Sequence, residues 1–140
     1  MALKHLARSD VVTADGDRSV GELASMMDDH HVGCVVVTDG DEPVGIVTDR
    51  DLATRVIGAG RDPSSLTAAD VMTDDPVTIG ENDGFYQATE LMGDHGIRRL
   101  PVTDEDGELA GIITADDLQE LLADEHAHLA GVIQAQRPPY

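Results

Sequence analysis

The sequence has a single cysteine and no long apolar run. Cys34 cannot form an internal disulfide, and it belongs to no CxxC or zinc-finger pattern. No apolar run approaches the roughly 18 residues of a membrane-spanning helix. The first ten residues, MALKHLARSD, lack the apolar stretch of a secretory signal. We therefore expect a soluble, cytoplasmic protein.

Basic residues are also scarce, and this scarcity excludes two kinds of partner. The chain carries 28 acidic and 9 basic residues, for a net charge of −19, and Lys4 is its only lysine. Non-specific binding of nucleic acids depends on Lys and Arg that neutralise phosphates. Binding to anionic membranes depends on the same residues. We expect neither nucleic acid nor membrane as a partner.

The acidic residues are spread along the chain rather than gathered in one tail. Such a surface is typical of adaptation to high salt, where repulsion between like charges is screened within a few ångströms. We predict a halophilic protein that needs high salt to fold. Unfolding curves at low and at molar salt test this prediction, and full stability in salt-free buffer would contradict it.

About half of the chain is a duplicate of the other half. Val12-Thr13 matches Val77-Thr78 at an offset of 65. GIVTDRDL (45–52) matches GIITADDL (111–118) at an offset of 66, because the second copy has one extra residue in the preceding turn. A repeat of this length predicts two copies of one supersecondary unit.

The residue pattern predicts the same elements in each copy. Each copy begins with a short β-rich run, which is followed by a helix whose apolar residues recur at helical spacing. CVVVTDGDEPVGIVT and RLPVTDEDGELAGIIT each predict a β-hairpin, and a second helix follows each hairpin. The predicted ranges are 11–14 and 76–79 for the first strands, 19–31 and 84–95 for the first helices, and about 49–58 and 115–124 for the second helices.

The fold class is therefore α/β (α+β), with two β-α-β-β-α repeats. We expect the repeats to pack through their sheets with pseudo-twofold symmetry, since each copy is marginal alone. The first repeat, with the N-terminal segment and a linker, takes 1–66, the second takes 67–124, and a C-terminal helical extension with a frayed tail takes 125–140. The predicted core residues are Val35, Val37, Ile46, Val47, Leu100, Val102, Ile112 and Ile113.

The repeated phrase G-h-h-T-x-x-D, where h is apolar, has two interpretations. Thr48 and Thr114 stand where a helix N-cap would stand, and Asp51 and Asp117 follow three residues later, so each pair matches a capping box. The same groups also suit a nucleotide. A helix N-terminus attracts phosphate, and a carboxylate accepts hydrogen bonds from both ribose hydroxyls. The spacing alone leaves both interpretations open.

The two copies differ in charge. Arg50 adds a positive charge beside the first Thr-Asp pair, whereas its counterpart is Asp116. We expect the first site to prefer more phosphorylated ligands than the second. The only arginine pair, Arg98-Arg99, could contact phosphate at either site or could face solvent and pair with surface acids.

No enzymatic arrangement is evident. Cys34 begins an apolar strand with no base nearby, so a buried or pocket-lining thiol fits better than a nucleophile. His126 and His128, with Glu125, lack the spacing of a metal motif, so we expect no metal site. No P-loop ending in GK[ST] occurs. We expect a protein that is not an enzyme.

Repeated β-α-β-β-α units that end in G-h-h-T-x-x-D resemble tandem CBS domains, together called a Bateman module. The second copy matches closely, through DVMTDDPVTI, HGIRRLPV and GIITADDL. The first copy matches in VGCVVVTDGDEPVGIVTDRDL but lacks the proline found at Pro101. The resemblance covers about residues 10–124, and the layout is similar to small stand-alone proteins of two such repeats.

The resemblance implies two clefts that bind adenosyl compounds, such as AMP, ADP, ATP, S-adenosylmethionine or NAD, with no required cofactor. It implies that the matching Asp binds the ribose, that the matching Thr lies near the ribose or phosphate, and that residues entering the strands line the pocket. Together with the arginines above, the candidate ligand-binding residues are Thr13, Ala14, Cys34, Val35, Thr48, Arg50, Asp51, Thr78, Ile79, Arg98, Arg99, Leu100, Pro101, Thr114 and Asp117.

Two functions remain open at this point. One is a regulatory module that changes shape or assembly when an adenosyl ligand binds, and so acts on an unknown effector protein. The other is a ligand-free dimeric scaffold in which Thr and Asp merely cap helices. The resemblance implies a homodimer in either case. A fragment related to inosine-monophosphate dehydrogenase is disfavoured, since the chain has no barrel.

Overall fold

The computed structural model describes residues 1–139, and Tyr140, the end of the predicted tail, lies outside that range. The chain forms a four-stranded and a three-stranded sheet with helices packed on them. The strands are β1 (Thr13–Ala14), β2 (Cys34–Asp39), β3 (Glu42–Thr48), β4 (Thr73–Asp74), β5 (Ile79–Gly80), β6 (Arg99–Thr103) and β7 (Leu109–Thr114). The helices are α1 (Val20–His30), α2 (Asp49–Leu52), α3 (Ala68–Val71), α4 (Phe85–His95) and α5 (Ala115–Gln136).

The sheet topology repeats as the duplication predicts. In each repeat a parallel strand pair (β1 with β2, β5 with β6) is followed by an antiparallel hairpin (β2–β3, β6–β7). The predicted two β-α-β-β-α units are confirmed. Both hairpins turn at a glycine with positive φ, Gly40 and Gly107, as the Asp-Gly turns require.

Three elements differ in extent from their predicted ranges. Strands β1 and β5, the first of each repeat, have only two residues each, because β1 pairs with β2, and β5 with β6, at only two positions. The helix predicted near 49–58 is α-helical over Asp49–Leu52 and continues as a π-helical turn over Ala53–Ile57. Helix α5 runs to Gln136, through most of the segment 125–140 for which the sequence predicts a helical extension and a frayed tail.

Each repeat packs against the segment of chain that leads into the other repeat, so the two repeats exchange these leading segments. Leu3, in a 3₁₀ turn at the N-terminus, is fully buried in the core of the second repeat, and Arg8 pairs with Ile112 of β7. In the same way α3 packs on the first repeat, and Thr73 of β4 pairs with Ile46 of β3. These two segments are equivalent at the repeat offset, so each repeat is completed by chain that precedes the other one.

The apolar residues form two cores and a smaller contact between the repeats. Val35, Val37 and Val47 lie in the first core, and Leu100, Val102 and Ile113 lie in the second, as predicted. The third cluster joins Cys34 and Val36 of the first repeat to Ile112 of the second, with half-buried Ile46 against it. The predicted packing of sheet against sheet is thereby confirmed. Among residues 1–139, no helix is long and apolar enough to cross a membrane.

Candidate functional site

Two clefts lie between the repeats, and each takes residues from both. The first cleft has a volume of about 350 Å³ and lies where the end of β3 meets the segments that lead into β5 and β6. It is lined by Ile46, Thr48, Arg50 and Asp51 of the first repeat and by Pro76, Val77, Ile97, Arg98 and Arg99 of the second. Both apolar and charged groups therefore face one cavity.

The second cleft is the pseudo-symmetric counterpart, with a volume of about 450 Å³. It is lined from the first repeat by Val11, Val12, His31 and Cys34, from the second by Ile112, Thr114, Asp116 and Glu120, and also by Arg8, Asp10 and Arg99. Both volumes fall within the range of roughly 300–1,000 Å³ that small-molecule sites occupy.

In the first cleft the Thr-Asp pair forms a complete capping box. The Thr48 hydroxyl accepts a hydrogen bond from the Asp51 amide (3.1 Å), and Asp51 Oδ2 accepts one from the Thr48 amide (2.9 Å). Asp51 Oδ1 has only a longer contact, 3.7 Å to Arg55 Nε, and no hydrogen-bond donor reaches it within residues 1–139. One oxygen of this half-buried carboxylate is therefore available to a ligand.

In the second repeat the same box forms, but its carboxylate is already bound. Asp117 Oδ2 accepts from the Thr114 amide (3.0 Å), and Asp117 Oδ1 accepts from Arg8 Nη2 (2.9 Å) and Nε (3.3 Å). Partial burial raises the pKa of Asp117, but the hydrogen bonds from Thr114 and Arg8 outweigh it and hold that pKa below its ordinary value. Arg8 thus occupies the oxygen that is open on Asp51.

The arginine pair contributes mainly to the first cleft. Arg98 Nη2 lies 3.0 Å from Asp116 Oδ1, so Arg98 pairs with the acid that borders the second cleft. Arg99 lines both clefts and reaches across to the first repeat, where a Cβ added at Gly33 would lie 2.6 Å from Arg99 Nη2. In the described part of the chain, neither Arg50 nor Arg99 forms an ion pair.

The fifteen candidate residues fall into two groups in the structure. Seven line one or both clefts: Thr48, Arg50, Asp51 and Arg98 the first, Cys34 and Thr114 the second, and Arg99 both. Burial raises the pKa of the Cys34 thiol, and the nearby Arg99 partly offsets this. The other eight are not among the cleft-lining residues: Ala14, Val35, Ile79, Leu100 and Pro101 are buried, Thr78 and Asp117 are half-buried, and Thr13 is exposed.

Several cleft residues were missed by the sequence analysis. Pro76 and Val77 line the first cleft, and Val11 and Val12 the second, one or two residues before the strand positions predicted to do so. Arg8 was missed because its role depends on the exchanged N-terminal segment. The duplication could have pointed to Arg8, because at the offset of 65 Arg8 is the counterpart of Thr73.

The histidines give no metal centre. No group of three or more His, Cys, Asp or Glu side chains within residues 1–139 is arranged to hold a metal ion. His30 and His31 instead line the second cleft, where His31 takes the left-handed conformation (φ 53°) that ends α1. Gly96 ends α4 in the same way (φ 63°).

The fold and the paired clefts define a two-repeat module with internal pseudo-symmetry. The model of the CBS domain family matches residues 3–58 and 68–124. The chain therefore belongs to the CBS domain family and is a tandem CBS protein, as the repeated phrase predicted.

Three relatives match most of this chain in sequence. The CBS domain-containing protein YhcV of Bacillus subtilis is 34% identical over 117 residues, which are 84% of this chain and 82% of YhcV. Hypoxic response protein 1 of Mycobacterium tuberculosis is 32% identical over 118 residues, 83% of this chain and 81% of that protein. An uncharacterized protein of Methanopyrus kandleri is 38% identical over 122 residues, and the match spans 86% of this chain but 62% of that protein.

A solved structure shares the fold. A CBS domain protein of Pyrobaculum aerophilum, solved in complex with AMP, superposes with a TM-score of 0.78 at 26% identity, over 84% of this chain and 89% of that chain.

The likeness to enzymes is partial. The inosine-5'-monophosphate dehydrogenase of Korarchaeum cryptofilum is 38% identical over 109 residues, 78% of this chain but only 22% of that enzyme. The shared part is the pair of CBS repeats.

Proposed function

We propose that this CBS pair is a regulatory module that binds one adenosyl ligand in its first cleft. The observation that carries the proposal is Asp51 Oδ1, which accepts no hydrogen bond within residues 1–139 and has only the 3.7 Å contact to Arg55 Nε. Asp51 lines a cavity that is also lined by apolar groups and arginines. A ribose diol donates two hydrogen bonds, and an ionised carboxylate oxygen accepts them strongly. The AMP complex of the Pyrobaculum aerophilum relative supports the ligand class.

The first cleft offers a separate environment for each part of a nucleotide. Ile46, Val77 and Ile97 provide an apolar surface for the adenine base. Thr48 and Asp51 stand at the ribose. Arg50 and Arg99, which carry no ion pair within residues 1–139, provide charge for phosphates.

The second cleft is proposed to bind weakly or not at all. A ribose there has to displace Arg8 from Asp117 and break two hydrogen bonds to a charged group. Its lining holds two arginines against three acids (Asp10, Asp116 and Glu120), whereas the first cleft holds three arginines against two (Asp51 and Asp75). More phosphorylated ligands should therefore prefer the first cleft.

The test is a calorimetric titration of the protein with AMP, ADP, ATP, S-adenosylmethionine and NAD in molar salt. We expect about one equivalent of the preferred ligand to bind tightly. Asp51→Ala should weaken that binding by about 10–100-fold, since a hydrogen bond to a charged group contributes about 1.5–3 kcal/mol.

Asp117→Ala is the matched control, because it removes the same capping box from the other repeat. It should leave tight binding unchanged, so a loss in Asp51→Ala alone separates ligand contact from helix capping. Equal losses in both variants, or tight binding that survives Asp51→Ala, would contradict the assignment to the first cleft.

The alternative is a ligand-free scaffold, and one observation favours it. Both Thr-Asp pairs form complete capping boxes, so these residues have a structural role whether or not a ligand binds. If none of the five adenosyl compounds binds, the scaffold replaces the regulatory proposal.

We also propose that the acidic surface is an adaptation to salt. At the hairpin turns, where the Leu109 amide donates to the Asp41 carbonyl (2.8 Å), the repeats bring acids together. Asp41 and then Asp104 raise the pKa of Glu108 above its ordinary value. A raised carboxyl pKa means that ionisation opposes folding above that pKa, and salt screens this repulsion.

A further inference from the structure

The last part of α5 is unlike the rest of the surface. All 28 acidic residues lie at or before Glu125, and the 15 residues that follow contain none. Every residue from 123 to 139 is exposed, so burial in this chain does not explain the absence of acids. This is the longest stretch of the sequence without an acid, since the next longest is the ten residues 52–61. We call its helical part, with Glu125, the tail helix (residues 125–136).

The tail helix carries an apolar stripe that continues the packed face of α5. At 100° per residue, Leu118 and Leu122 share one face with Leu129, Val132 and Ile133. Leu118 is buried in the second core and Leu122 is half-buried, whereas the last three are 64%, 55% and 63% exposed. The face that anchors the helix therefore extends beyond the body, and nothing within residues 1–139 covers it.

Water alone is a poor environment for such a helix. The tail helix continues the packed part of α5 and needs no nucleus of its own, but none of its residues is buried, and packing supplies most of a helix's stability in a protein. Gly131 lowers its helix propensity further. A partner that covers Leu129, Val132 and Ile133 would remove this instability.

Charge identifies the partner as the same segment in opposite orientation. Glu125 is the first residue of the tail helix, and Arg137 directly follows its last residue, Gln136. An antiparallel pair centred between residues 130 and 131 brings Glu125 of each helix near Arg137 of the other, whereas a parallel pair juxtaposes like charges. The segment after Glu125 has no acid to repel the acidic body of a second copy.

We propose that the tail helices of two copies of this chain pair antiparallel through Leu129, Val132 and Ile133. This proposal is independent of ligand binding. It assigns a dimer contact to the C-terminal extension, outside the two repeats.

The first test measures mass by light scattering in molar salt, which screens the repulsion between two chains of charge −19. We expect a dimer whose dissociation constant rises at least tenfold in Leu129→Asp/Val132→Asp. Ala127→Asp/Gln134→Asp adds the same charge to the opposite, equally exposed face. It should leave the dimer intact. A monomeric parent protein, or equal weakening by both double variants, would overturn the proposal.

The second test reports the orientation and detects the contact even if other faces also associate. Glu125→Cys and Gln136→Cys are made separately in a Cys34→Ala background, mixed in equal amounts and oxidised. The antiparallel pair predicts mainly cross-links between the two different variants. Mainly self-cross-linked Glu125→Cys, or no cross-link at all, would overturn it.

Discussion

Replacing Leu3 by alanine is expected to lower the free energy of unfolding by about 2–5 kcal/mol, the range for a Leu→Ala change in a packed core. Leu3 is fully buried although it is the third residue of the chain. It packs in the second core beside Leu100 and Ile113, and its amide donates to the Asp83 carbonyl (2.9 Å). Urea unfolding in molar salt gives the measurement.

Lys4→Ala is the control for this prediction, because Lys4 is the exposed neighbour of Leu3 in the same segment. It should change the free energy of unfolding by less than about 0.5 kcal/mol. If Leu3→Ala is as mild as Lys4→Ala, the N-terminal segment does not belong to the second core in solution.

Gly111→Ala is expected to destabilise the protein by about 1–3 kcal/mol, as overpacking does, and to release the N-terminal segment. A Cβ at Gly111 would lie 2.7 Å from the Arg8 carbonyl oxygen, closer than a real Cβ contact allows. The backbone of Arg8 cannot yield without breaking its two hydrogen bonds to Ile112 (2.9 and 3.0 Å). Urea unfolding measures the loss, and the rate of tryptic cleavage after Arg8 should rise with it.

Gly45→Ala is the matched substitution in the first repeat. There the nearest atoms belong to the Met72 side chain, whose thioether can move to another rotamer. We expect a change of less than about 1 kcal/mol and no faster cleavage after Arg8. A larger loss at Gly45 than at Gly111 would contradict the assigned role of the exchanged backbone.

These two glycines explain part of the repeated phrase. In both GIVTDRDL and GIITADDL the glycine lies on the second strand of the hairpin. It is at or next to the position where the segment that leads into the other repeat pairs with that strand. Its lack of a side chain serves packing, while the Thr and Asp that follow cap a helix. The phrase therefore has a structural role in both repeats, because it packs the hairpin against the segment that leads into the other repeat and caps the next helix. The ligand proposal depends on Asp51 Oδ1, which accepts no hydrogen bond within residues 1–139.

The sequence by itself determined the repeat, the order of its elements and most of its core. These features follow from local periodicity, turn chemistry and spacing, which repeat at a fixed offset and so confirm one another. The caps at Thr48 and Thr114 are local in the same sense, since each joins residues three apart. The repeated phrase and the order of elements are enough to identify the family.

The sequence predicted that the two clefts differ in charge, at Arg50 and Asp116, but only the tertiary structure decided that their two carboxylates, Asp51 and Asp117, differ as well. Arg8 and Asp117 are 109 residues apart in the chain, and Arg99 reaches Gly33 from the other repeat. Such contacts depend on which repeat each leading segment packs against, and no local pattern specifies that choice. The exchange leaves Asp51 open and Asp117 bound to Arg8, so two nearly identical phrases provide two chemically different sites.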